Sequence, residues 1–170
     1  MGLHVTVKTV YDGYMPPSSL PIPALEFVHN RDIPDEPETT ATRQAARAFR
    51  EVLTRILTDE ARGIGASEAD LAALERVLSR AGAARGLVPT VRGYGWGWTR
   101  DPGPVVRRLF PAAWSAAQLL TGEERHRLKC CDGCGRLFLD RSRNRSRRWC
   151  EMEACGNRAK VRRHRINLTP

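Results

Sequence analysis

The C-terminal stretch Arg125 to Arg165 reads RHRLKCCDGCGRLFLDRSRNRSRRWCEMEACGNRAKVRRHR and holds all five cysteines of the chain. It carries 14 Lys/Arg against 4 Asp/Glu, a net of +10. All other residues together carry 14 Lys/Arg and 15 Asp/Glu, a net of −1, so the +9 of the 170-residue chain is one local feature. Its large apolar residues are Leu128, Leu137, Phe138, Leu139, Trp149, Met152 and Val161, too few for a core of their own. A segment this small needs a disulfide, a metal or a neighbour to hold it. Thiols set among arginines point to a metal-stapled module that binds polyanions.

The thiols are Cys130, Cys131, Cys134, Cys150 and Cys155. Cys131-x2-Cys134 has the spacing of a metal knuckle turning through Asp132-Gly133, and Cys150-x4-Cys155 offers a second pair. Four thiolates at such spacings suit tetrahedral Zn2+. Cys130 is an alternative to Cys131 with a longer spacer, though the two-residue knuckle closes more tightly. His126 and His164 are better read as surface residues. A redox role for Cys131-x2-Cys134 would want a strand before it and a helix after it. Between the pairs lies an arginine loop, with Arg141, Arg143, Arg145, Arg147 and Arg148. A cationic helix is expected from Cys155 to Arg165, with Asn157, Arg158, Lys160, Arg162 and Arg163 as further candidate nucleic-acid contacts. Arg and Asn side chains make bidentate contacts with guanine and adenine edges.

The preceding residues predict an α+β domain, mostly α-helical with a few short strands. Leu3 to Val10 alternates like a half-buried strand, Asp12-Gly13 is a turn signal, and Pro16 to Pro23 is extended or loop. Ala24 to His29 fits a strand or one to two helical turns, and Arg31 to Glu38 a surface connection. A helix over Thr42–Asp59, capped by Thr39 or Thr40 and ended by Gly63 and Gly65, would bury Ala45, Ala48, Phe49, Val52, Leu53, Ile56 and Leu57. Ser67 caps a second helix burying Leu71, Leu74, Val77, Leu78 and Ala81, antiparallel to the first. In Leu87 to Thr99 the aromatics Tyr94, Trp96 and Trp98 alternate with Gly93, Gly95 and Gly97. They read as aromatics capping the core or, less readily, as a pocket wall or base-stacking platform. A third helix follows Asp101-Pro102-Gly103-Pro104, burying Val105, Val106, Leu109, Phe110, Ala113, Trp114, Ala117 and Leu120. Pro111 would kink or restart it, and Gly122 stops it.

No apolar run approaches the roughly 18–20 residues of a membrane span. No secretory pattern opens the chain, so a soluble cytoplasmic protein with reduced thiols is expected. His4, His29, His126 and His164 are scattered, and no nucleophile–base constellation argues for an enzyme.

The run FLDRSRNRSRRWCEM-x2-CGNRAK, Phe138 to Lys160, resembles the CGNR-type zinc finger, named for the tetrad here at Cys155-Gly156-Asn157-Arg158. The resemblance covers roughly Leu128 to Arg165. It implies Zn2+ held by Cys131, Cys134, Cys150 and Cys155 and a basic C-terminal module that contacts DNA. In that family the finger usually follows a domain of the ABATE type, linked with stress-induced transcription regulation. Phe27-Val28-His29-Asn30-Arg31-Asp32 is similar to the FVNTRD near the start of such domains, with His-Asn in place of Asn-Thr. The implied layout is an ABATE-like domain over 1–124 and a finger over 125–170. DNA is then the expected partner, RNA or an acidic protein the alternatives. A homodimer through the N-terminal helices would add affinity, and any small-molecule effector is unspecified.

Overall fold

The computed structural model describes residues 22–29, 39–91 and 93–167, with side chains up to Arg162. The expected strand at Leu3–Val10, the Asp12-Gly13 turn, most of the Pro/Ser-rich run and the Arg31–Glu38 connection lie outside the described residues. The remainder is mostly helical with short antiparallel strands. The order is α1 (Pro23–His29), α2 (Thr40–Ala61), α3 (Glu68–Gly82), β1 (Arg85–Thr90), β2 (Gly93–Trp98), α4 (Pro104–Thr121), β3 (Leu128–Cys130), β4 (Leu137–Leu139) and α5 (Asn157–Asn167).

The apolar segment at Ala24–His29 is a helix, with Ala24 and Phe27 buried and the Ala24 N–H donating to Ser115 Oγ at 3.2 Å. In α2, Thr39 is the N-cap, its Oγ1 accepting from the Thr42 N–H at 3.2 Å. Leu53, Ile56 and Leu57 are fully buried, and each such side chain contributes about 1.5–3 kcal/mol. The stripe is rotated from the expected one: Ala46 and Thr42 are buried while Ala48 is exposed. Ser67 caps α3 through the Asp70 N–H, and Arg55 of α2 grips Asp70 with two charge-assisted bonds of 2.7 and 3.1 Å. Leu71, expected in the buried stripe, is 43% exposed, because α3 turns mainly Leu74 and Ala81 inward.

α4 packs against α1, α2 and α3. Its inward side is built of small residues, Ala112, Ala113 and Ala116, flanked by Leu109 and Leu119, which lets its neighbours come close. Pro111 lies within the helix without ending it. Trp114 points outward and is 49% exposed, contrary to the periodicity.

β1 and β2 form an antiparallel hairpin, closed at its base where the Ala84 carbonyl accepts from the Thr99 and Arg100 N–H groups. The aromatic stripe divides. Trp98 meets Phe110 edge-on at 5.5 Å, under the Arg85 and Arg107 guanidinium groups. Tyr94 and Trp96 stay exposed, so the three do not cap the core together. The glycine face receives the hairpin's own Val88: a Cβ on Gly97 would lie 2.6 Å from Val88 Cγ2.

After a 3₁₀ turn at Glu123–Arg127, β3 and β4 pair with Leu128 opposite Leu139 and Cys130 opposite Leu137. Period-two alternation gives this ribbon two working faces. Leu128 and Leu137 are buried in the same core as α2 and α4, with Cys130 and Leu139 packed beside them. Phe138 faces the other way, into a second cluster with Cys131, Cys155, Trp149 and Cys150. The helical core therefore runs on across residue 124.

Candidate metal centre

The turn joining β3 to β4 carries the knuckle. The Cys131 carbonyl accepts from the Gly135 N–H at 2.8 Å, and the Cys131 N–H donates to Arg136 O at 2.9 Å. Gly135 sits at φ +72°, a left-handed conformation that favours glycine. The Asp132 N–H donates to Arg148 O at 3.0 Å, which ties the knuckle to the segment carrying the second pair. That segment passes Trp149 and Cys150 and makes one wide turn, Met152–Gly156, before α5. Close packing here explains two glycines: a Cβ on Gly156 would meet Met152 Sδ and Trp149 Cδ1, and one on Gly133 would lie 3.2 Å from Cys155 Cβ.

This path brings together the sulfurs of Cys131, Cys134, Cys150 and Cys155, all within 4.8 Å of one another. Cys134 and Cys150 are 3.7 Å apart, and Cys150 and Cys155 are 3.8 Å apart. A tetrahedral ion with metal–sulfur bonds of about 2.3 Å sets its sulfurs about 3.8 Å apart, so the donor set fits a metal. The charges argue the same way. Burial pushes the Cys131 thiol up, but amide donation from Cys150, Gly133 and Cys134 outweighs it and lowers the value to about 6. Cys150 is pushed up to about 12 by burial and by the neighbouring thiols, and Cys155 is raised by Cys134 and by burial. One thiolate forms readily and opposes the next, a conflict that a divalent cation relieves. Cys130 stands apart: its thiol lies on the core face of β3, and burial raises its pKa.

The cations around the cluster do different things. Arg158, at the second position of α5, donates to Cys155 Sγ at 3.5 Å and to Ala154 O at 3.3 Å. Arg141 pairs with Glu124 through two bonds of 3.0 and 3.2 Å. Arg148 pairs with Asp132 at 2.7 Å and lies over Trp149. Arg147 donates to Cys150 O at 2.6 Å and lies over Phe138. Arg143, Arg145, Asn157, Lys160 and Arg162 are exposed, and the side chain of Arg163 lies outside the described residues.

Sequence reasoning missed Asp140, which is fully buried. Its carboxylate accepts from Lys129 Nζ at 2.8 Å, the Ser142 N–H at 3.0 Å, Ser142 Oγ at 2.5 Å and the Arg147 N–H at 2.8 Å. Burial works against its charge, yet these donors hold it well below the usual carboxylate range. A visible signal was Asp-x-Ser directly after the apolar triplet Leu137–Leu139, the pattern of an Asx turn.

Two family models match the chain. The CGNR zinc finger model matches residues 127–167, which contain the whole cysteine cluster. The ABATE model, described as "Putative stress-induced transcription regulator", matches residues 22–123, well over half of the chain. The chain belongs to the ABATE family. These ABATE and CGNR assignments are of regulator and zinc-finger type, not enzymes, and they agree with the resemblance seen in the sequence. No curated protein matches this ABATE chain. Among its described residues no helix is long and apolar enough to cross a membrane.

Proposed function

We propose that the chain is a zinc-dependent DNA-binding transcriptional regulator of the cytoplasm, whose C-terminal module over residues 125–170 grips the phosphate backbone. The observation that carries this reading is the convergence of four cysteine sulfurs within 4.8 Å, with exposed cations in the loop before Cys150 and in the helix after Cys155. Cys131, Cys134, Cys150 and Cys155 would hold the ion, all four positions being filled by protein thiolates. Bound there, Zn2+ supplies structural cross-linking and no open position for chemistry. The arginine loop and the start of α5 would leave the same scaffold together, giving a basic surface of fixed shape. Arg143, Arg145, Lys160 and Arg162 would neutralise phosphates, and Asn157 at the head of α5 is the candidate for base contact.

The test is a duplex DNA titration of the zinc-loaded chain over a salt series. About four phosphate contacts predict a log–log slope near −3.5, and Arg143→Gln should lower its size by about one. Indifference to salt, or less than about one zinc per chain under reducing conditions, overturns the reading. Stronger binding to single-stranded RNA would move the partner to that class.

A further inference from the structure

We propose that Lys129 and Asp140 are positioning residues for the arginine loop, fixing the backbone of residues 141–148 so that Arg143 and Arg145 meet a polyanion already in place. The inference rests on the phosphate-binding reading above and says how that surface is given its shape.

The loop has no regular secondary structure, and its side chains are mostly exposed, so neither a ladder nor an apolar core holds it. Its backbone polar groups instead converge on one ion pair, whose carboxylate is fully buried and whose ammonium is partly so. Asp140 takes the Ser142 and Arg147 N–H groups, five residues apart, on its two carboxylate oxygens. Lys129 spends its ammonium on Asp140, on the Arg147 carbonyl at 3.2 Å and on the Arg145 carbonyl. Arg127 adds a bond to the Asp140 carbonyl at 3.1 Å. Lys129 is paired with Phe138 across the ribbon, so the ion pair is anchored to the element that contributes to both the helical core and the cysteine cluster. Between the fixed points, Arg145 is held at φ +48°, the one non-glycine residue with positive φ among those described. Arg143 and Arg145 are both exposed on this loop.

Neither residue is itself suited to phosphate. Asp140 is anionic and fully buried, and the Lys129 ammonium has its donors committed within the protein. A flexible loop of the same sequence would carry the same charge but would have to be ordered on binding, which weakens affinity without changing how many phosphates are neutralised. Affinity and salt slope therefore separate the two roles.

The experiment uses the full zinc-loaded chain and duplex DNA of random sequence, comparing Lys129→Met and Asp140→Asn with Arg143→Gln. Both positioning variants should keep the wild-type metal content and exchange the Ser142 and Arg147 amide protons faster. They should bind on the order of tenfold more weakly at every salt concentration, with the slope unchanged. Arg143→Gln should instead reduce the slope by about one. If Asp140→Asn fails to fold, Lys129→Met decides, since it leaves every amide bond to the carboxylate in place. Unchanged affinity in Lys129→Met overturns the proposal. So does a slope that falls as in Arg143→Gln, which would make Lys129 a direct phosphate contact. Loss of metal together with affinity also overturns it, by assigning the pair to the cysteine cluster. A wild-type chain that binds no duplex refutes the DNA reading itself, a result distinct from binding that the variants share.

Discussion

Two adjacent cysteines at the end of β3 give the sharpest test of the metal site. Cys130 ends β3 on its core face, and Cys131, the next residue, begins the turn and lies in the cysteine cluster. A bound structural zinc contributes about 10–16 kcal/mol to folding of such segments. Shared over four similar thiolates, the loss of one is worth roughly 3–4 kcal/mol, a few hundredfold in metal affinity. Cys131→Ser should therefore weaken zinc binding by about that factor in competition with a chromophoric chelator. Cys130→Ser places a hydroxyl against apolar neighbours and should cost roughly 1 kcal/mol in a urea melt, with zinc affinity unchanged. Metal loss in Cys130→Ser equal to or greater than that in Cys131→Ser would refute the face assignment and the ligand set with it.

Two further outcomes follow from charge placement. Arg158 donates to Cys155 Sγ, so Arg158→Leu should weaken zinc binding about 10–100-fold in the same competition. It should change the DNA salt slope by less than Arg143→Gln does, because its guanidinium is already engaged. Asp70 is held below the ordinary carboxylate range by its hydrogen bonds from Arg55, against some burial, with Ser67 adding to the effect. A depressed folded pKa contributes stability that is whole above the unfolded value near 4 and is lost as pH falls through the folded one. Asp70→Asn should thus be less stable than wild type at neutral pH, with the gap closing below about pH 4 in urea melts.

Where a pattern was carried by near neighbours, the sequence was enough. The Ser67 cap, the Phe49–Leu53–Ile56–Leu57 stripe and the two cysteine pairs are all set by spacing within a few residues. Periodicity could not say how wide a buried stripe is, since that depends on which helices arrive. α4 meets its neighbours through Ala112, Ala113 and Ala116, and so Trp114 is left outside. Three-residue strands such as Leu128–Cys130 are too short to show alternation, so the two-faced ribbon that turns Cys130 toward the core stayed hidden, and spacer length alone spoke for Cys131. The Lys129–Asp140 pair joins residues 11 apart across that ribbon, and no local rule links them.

The charge count shows why geometry is needed for function. A net of +10 over Arg125–Arg165 invites the view that a dozen cations wait for phosphate. Many have protein partners instead. Lys129 is taken by Asp140, Arg125 by Glu60, Arg141 by Glu124 and Arg148 by Asp132. Arg136 donates to His29 Nδ1 and Arg158 to a cysteine sulfur. The exposed ones among them are worth little in stability, but every such pair fixes a side chain and spends part of its field on a partner. Counterion release follows the phosphates neutralised, not the formal charge. A salt slope near −3.5, well short of what the formal charge would give, is therefore the expected signature of this arrangement. A slope approaching −10 would mean that these internal pairs open when the polyanion arrives.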